Sequence, residues 1–240
     1  MTPLRQRAVA LAAPIGHALH GPPRHLVGGA QMRRTGPVDA PAVLCLNGGI
    51  KRVVAGDWSA SMDWLVRRLT PSRPRVAFYE VRYRVRSWTR LEMCIEDARA
   101  ALAALAEGPA GPGRPVLLLG FSMGGAVSLA VADDPAVTTF VGLAPWLPEE
   151  LGVATLAGRR VTVIHGRLDG RPFGVSPRQS RRAVERMRAA GIPATYRLIR
   201  GATHGIALPG PGEALLPLPG AREWARLVGE EVDRFQPAAA

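Results

Sequence analysis

Several short runs in this chain are apolar at nearly every position instead of every second one: Ala42 to Leu46, Pro115 to Leu119, Val137 to Leu143 and Val161 to Ile164. A strand that buries one face alternates; a strand apolar throughout must be covered on both faces, and a parallel sheet between two helix layers supplies that cover. Arg75 to Val81 and Thr195 to Ile199 read as further strands. Helical spacing fills the intervals: Ser59 to Leu69, the Ala-rich Leu91 to Ala106, Ala126 to Ala132, Ser176 to Ala190 and a closing Ala221 to Phe235. Alternation of this kind implies a mostly parallel sheet with helices on both sides. Residues 1 to 36 are weakly patterned, and two short strands are expected there, Arg7 to Ala12 and His25 to Met32.

The 240 residues suit one domain with a core large enough to need no disulfide or metal. Cys45 and Cys94 each lie in apolar surroundings, which points to a reducing, cytoplasmic setting. No run of 18 apolar residues exists, so no membrane span is expected. The opening segment has Arg5 and Arg7 but is interrupted by Pro14 and His17, and it is not read as a signal peptide. The net charge of +12 invites a nucleic-acid reading. Of the 31 cations only Lys51 is lysine, however, and the arginines are scattered without a recognisable nucleic-acid-binding motif. Solvated surface is the expectation, with no nucleic-acid partner.

Chemistry is carried by Gly120-Phe121-Ser122-Met123-Gly124-Gly125, placed between a buried strand and a small-residue helix. Reversing from strand to helix in so few residues forces the central residue toward strained backbone angles, and the flanking glycines remove side chains that would collide. Ser122 then projects its hydroxyl at the carboxyl edge of the sheet, with a helix N-terminus behind it. A serine hydroxyl needs a base and a group to orient that base. Asp169 follows one strand in His165-Gly166-Arg167-Leu168-Asp169, and His204 follows the last strand in Gly201-Ala202-Thr203-His204-Gly205. Serine, acid and histidine in that order, each beyond a strand's carboxyl end, converge on one edge.

From about Pro41 to Phe235 the chain resembles the α/β-hydrolase superfamily. The resemblance rests on Gly120 to Gly124, on His165 to Asp169 and on His204-Gly205. With Gln179-Ser180 on the intervening helix, His165 to Gly205 looks most like dienelactone hydrolases and prolyl-oligopeptidase-type serine hydrolases. Two departures matter: dienelactone hydrolases have cysteine where Ser122 stands, and oligopeptidases carry a propeller that has no counterpart here. The resemblance implies an α/β-hydrolase fold over residues 1 to 240. It implies Ser122, His204 and Asp169 as nucleophile, base and orienting acid. The N–H of Met123 is one oxyanion donor, and the other comes from Asn47-Gly48-Gly49-Ile50, at Gly49 or else Ile50. Asn47 and Trp146 are expected to meet the substrate. The reaction is transfer of an acyl group to water from a small ester, thioester or lactone, with no cofactor or metal. A small peptidase or acyltransferase with the same residues is the alternative, as is a non-catalytic binding protein of the same fold. Oligomeric state is left open.

Simpler readings stand beside these. Glu149 and Glu150 could replace Asp169 as the acid. His165 is expected to be an ordinary packed histidine. His17, His20 and His25 have metal-like spacing but no element to orient them. Arg82, Arg84, Arg86 and Trp88 are expected as solvated surface, with attraction of an anionic substrate as the sharper alternative. Trp146 to Arg160 is about 15 residues, too short for a cap domain, so the site should be open. Leu208 to Pro219, rich in Pro and Gly, is expected to overhang it as a stiff loop.

Overall fold

The computed structural model describes residues 20–170 and 175–235. Eight strands form one sheet: β1 (Arg24–His25), β2 (Gln31–Thr35), β3 (Ala42–Leu46), β4 (Ala77–Arg82), β5 (Val116–Phe121), β6 (Val137–Leu143), β7 (Arg160–Gly166) and β8 (Ala194–Ile199). Their spatial order is β1-β2-β4-β3-β5-β6-β7-β8. From β4 to β8 every neighbouring pair is parallel, while β2 runs antiparallel to both β1 and β4. Five helices cover the sheet: α1 (Ala60–Leu69), α2 (Leu91–Ala106), α3 (Met123–Val131), α4 (Pro177–Ala189) and α5 (Ala221–Phe235).

Period-two geometry divides the apolar strands between two cores. Leu44, Leu46 and Leu118 face α2, α3 and α4, joining Ala98, Leu102, Val127 and Met187. Val43, Cys45, Leu117 and Leu119 face α1 and α5, joining Leu65, Val66, Trp224 and Val228. This two-sided burial is why those strands carry no alternating polar positions. Cys45 and Cys94 are free, buried and on opposite faces of the sheet. None of the described helices is long and apolar enough to cross a membrane. The fold is that of the α/β hydrolases without a cap insertion: between β6 and β7 there are only two short 3₁₀ turns, Glu149–Leu151 and Ala154–Leu156.

The expected strand His25 to Met32 is instead a hairpin. The chain turns through Gly28 and Gly29, both with positive φ, between β1 and β2. The expected strand Arg7 to Ala12 lies outside the described residues. Leu208 to Pro219 is likewise not wholly irregular, since its two ends form a second small sheet, β9 (Ala207–Pro209) paired antiparallel with β10 (Leu215–Pro217). Ser61 of α1 ties its root down: its Oγ accepts from the N–H of Ile206 and of Ala207 and donates to the carbonyl of Ala207.

Candidate active site

β3 and β5 are neighbours whose connections leave in opposite directions, so a crevice opens beyond their carboxyl ends, where open α/β sheets take their ligands. Ser122 stands at the end of β5 with φ 53° and ψ −116°, an outlying conformation for a residue with a side chain. Such strain costs on the order of 1–3 kcal/mol and persists only where the surroundings impose it. Here they do. The Ser122 N–H donates to Leu143 (3.0 Å), and its carbonyl accepts from Gly125 (2.9 Å) and Trp146 (2.8 Å). Glycine is required at the two flanking positions by close approach. A Cβ on Gly124 would lie 2.0 Å from the carbonyl oxygen of Leu46, and one on Gly120 would lie 2.5 Å from that of Gly124.

The turn after β3 lies against this serine. A Cβ on Gly48 would come within 3.2 Å of Ser122 Cβ, and one on Gly49 within 2.3 Å of the Met123 sulfur. Asn47 is buried and its side chain shapes the turn: Oδ1 accepts from the Gly48 N–H (2.7 Å) and Nδ2 donates to the Asp57 carbonyl (3.4 Å). These bonds leave Asn47 a role in the loop's shape more than in substrate contact. Ile50 is bridged to Ser87, which draws its peptide toward the 83–88 segment. Trp146 donates its N–H to Ser122 and its half-buried side chain packs on the core beside α3.

Asp169 and His204 meet directly, Nδ1 of the imidazole 2.6 Å from Oδ2 of the carboxylate. The His204 ring is tilted against Phe121, the residue before Ser122, with centroids 5.2 Å apart. Burial by itself would raise the Asp169 carboxyl; hydrogen bonds from His165 and then His204 outweigh it and hold the group below the ordinary carboxylate range. Glu149 and Glu150, the alternative acids, are exposed on a 3₁₀ turn, and Glu149 is paired with Arg186 (2.7 Å).

Other expectations are corrected. His165 is not merely packed, because both its ring nitrogens are engaged, Nε2 with Asp169 Oδ2 and Nδ1 with Ser180 Oγ, each at 2.8 Å. In the sequence His165 to Asp169 and Gln179-Ser180 enter only as parts of the resemblance, with no sign that they bond to one another; Ser61 gave no signal. Arg82 and Arg84 are half-buried braces, not solvated charges. Arg82 holds the Gly56 carbonyl and Gln31, and Arg84 holds Glu96 and Asp97 at 2.6 Å each. They are thereby committed to the fold and not to an anionic substrate.

His17 lies outside the described residues, and His25 faces Gln31 on the surface. His20 instead joins Asp63 and Glu80 in a cluster with metal-ligand atoms close together. Arg33 binds both carboxylates and Arg67 binds Asp63, so two fixed positive charges already answer the two negative ones. The cluster is an ion-pair network.

No protein-family model matches the chain, and no curated protein matches its sequence. Solved structures do match in fold. One is a dienelactone hydrolase-like promiscuous phosphotriesterase, P91, from metagenomic libraries, with TM-score 0.68, 18% identity, and coverage of 90% of this chain and 99% of that one. Another is a serine hydrolase without lid from Xanthomonas campestris, with TM-score 0.64, 15% identity, and coverage of 95% and 100%. A third is a thermophilic esterase from Thermogutta terrifontis, with TM-score 0.64, 17% identity, and coverage of 95% and 98%. At such identities the likeness shows a shared α/β-hydrolase fold.

Proposed function

We propose that this protein is a cytoplasmic serine hydrolase that cleaves small carboxylic esters, thioesters or lactones through Ser122, His204 and Asp169. The observation that carries the reading is the Asp169–His204 contact at the rim where Ser122 is held in a strained strand-to-helix turn. His204 takes the proton of the Ser122 hydroxyl as it attacks the ester carbonyl. Asp169, kept ionised, holds the Nδ1–H tautomer and balances the imidazolium that forms. The N–H groups of Met123 and Gly49 receive the oxyanion, each worth about 2.7–4 kcal/mol in the transition state. Gly49 is preferred to Ile50 because the Ile50 peptide is turned toward Ser87, and to Gly48 because that N–H is taken by Asn47. His204 then returns its proton to the departing alcohol, and water repeats the cycle on the acyl-enzyme.

The esterase and lidless hydrolase among the structural relatives agree with this reading, as does the resemblance of His165 to Gly205 to dienelactone hydrolases. The missing cap leaves an open rim suited to small or exposed esters. A fluorophosphonate probe tests the proposal: wild type is labelled and Ser122→Ala is not. Absence of labelling on the folded wild type would favour a binding protein. Labelling without turnover of an ester panel of graded chain length would favour a peptidase or acyltransferase.

A further inference from the structure

Behind Asp169 stands a second imidazole that the chemistry just outlined does not use. His165, in β7, is 0% exposed. Its Nε2 lies 2.8 Å from Asp169 Oδ2, the same oxygen that meets His204 Nδ1 at 2.6 Å. An ionised carboxylate can only accept, so both ring nitrogens facing Oδ2 carry protons. The remaining nitrogen of His165 faces the hydroxyl of Ser180 at 2.8 Å, on α4. With a neutral ring that nitrogen is an acceptor, and the hydroxyl donates to it. The carboxylate thus fixes the His165 tautomer, and Ser180 holds the ring in the orientation that presents Nε2–H to it.

The other oxygen of the carboxylate sharpens the point. Asp169 Oδ1 is buried and has no hydrogen-bond partner among the described residues. Among the described residues, none sets its orientation from that side. Among the described residues the partners acting on Asp169 are the two imidazoles, with no arginine or lysine beside them.

We propose that His165, locked by Ser180, is the positioning residue that aims the Asp169 carboxylate at His204. The inference rests on reading Ser122, His204 and Asp169 as the reacting set, and it adds a fourth and fifth member to their chain. α4 is well placed to supply Ser180 because its first turn is closed by a capping box between Ser176 and Gln179, one residue before it. His165 does not touch the rim, so its loss falls on turnover and not on substrate affinity. Its donated proton also draws charge from Oδ2. Without it the carboxylate holds the His204 imidazolium more strongly, and the base is lost to protonation at higher pH.

The test compares His165→Leu, His165→Gln and Ser180→Ala with wild type in ester hydrolysis. For His165→Leu the expected result is a fall in kcat of roughly 10- to 100-fold, the rate equivalent of one hydrogen bond to a charged group, with KM unchanged. The acidic limb of kcat/KM moves to higher pH. His165→Gln, whose amide N–H reaches the Nε2 position, recovers most of the rate. Wild-type kcat and pH profile in a folded His165→Leu, or equal loss in the Leu and Gln variants, overturns the proposal. Histidine side-chain ¹⁵N NMR supplies a readout independent of turnover and of the Leu variant's folding. Wild-type His165 is expected as the Nε2–H tautomer with its Nε2 proton shifted strongly downfield by the carboxylate, and Ser180→Ala with that proton moved upfield as the ring loosens. A protonated Nδ1 in wild type, or an unmoved Nε2 proton in Ser180→Ala, overturns the proposal even if the fluorophosphonate labels Ser122. Failure of labelling with the tautomer as expected instead strikes the hydrolase reading.

Discussion

Two histidine–carboxylate clusters lie among the described residues, and they are neutralised by different means. At the antiparallel edge, Asp63 and Glu80 meet His20, but the charge is answered by Arg33 and Arg67. At the rim, Asp169 meets His165 and His204 and no arginine among the described residues. A guanidinium keeps its proton at any working pH, whereas an imidazole exchanges its own near neutrality. The first cluster is a fixed clamp between α1, β2 and β4; the second holds its carboxylate between two imidazoles. Burial acts on both sets. It raises Glu80 in spite of Arg33, while Asp63 is carried well below the ordinary range by His20, Arg67 and Arg33 against its own burial. Composition counts these residues alike, and only the identity of the counter-charge separates the two clusters.

The comparison breaks if the clusters can be exchanged in effect. Asp169→Asn should lower kcat by about 10⁴-fold, since the imidazole tautomer is no longer imposed, and leave thermal unfolding little changed. Full activity in that variant would return attention to Glu149 and Glu150. Asp63→Asn should do the reverse: turnover persists, while urea unfolding shows a loss of roughly 3 kcal/mol, because Arg33 and Arg67 are left partly uncompensated. Its acid behaviour follows from the sign of the shift. The Asp63 carboxyl is held low in the fold, so its contribution is present above the unfolded value near about 3.9 and is lost as pH falls toward the folded one. Glu80, held high, gains its proton more readily in the fold and offsets part of that loss. Wild type should weaken below about pH 4, and Asp63→Asn less steeply; parallel curves would show that the cluster's charge is not felt. Ser61→Ala belongs to both regions, because α1 carries Asp63 and Ser61 together. Removing the hydroxyl strands the N–H groups of Ile206 and Ala207 close to His204, and should cost about 1–3 kcal/mol with a severalfold drop in kcat. An effect on only one of the two readouts would show that the regions are uncoupled.

The middle of the sheet was legible because its strands are wrapped on both faces. Ala42 to Leu46 and Val137 to Leu143 coincide with β3 and β6, and Leu91 to Ala106 and Ala221 to Phe235 with α2 and α5. The antiparallel edge was not, since β2 reads Gln-Met-Arg-Arg-Thr. Its cations belong to a strand only because Arg33 meets Glu80 across β4, a long-range fact no local window contains. At the rim, position beyond strand ends sufficed to bring Asp169 and His204 together on paper, and they do touch. What supports them was hidden. The Ser180 hydroxyl reaches His165 from a helix that looks like any Arg-studded amphipathic segment, and Asn47 reads as a substrate contact until its bonds to Gly48 and Asp57 are seen.

Gly166 closes β7 where that strand passes the backbone before His204. A methyl group there would sit 2.4 Å from the Ala202 carbonyl oxygen and 2.6 Å from that of Thr203. The spacing between the segments that carry Asp169 and His204 is thus set by main chain resting on main chain, with no side chain as intermediary. Such a joint has no slack to be tuned by gradual substitution: mutational drift can remodel the walls around the crevice freely, but this one seam admits only hydrogen.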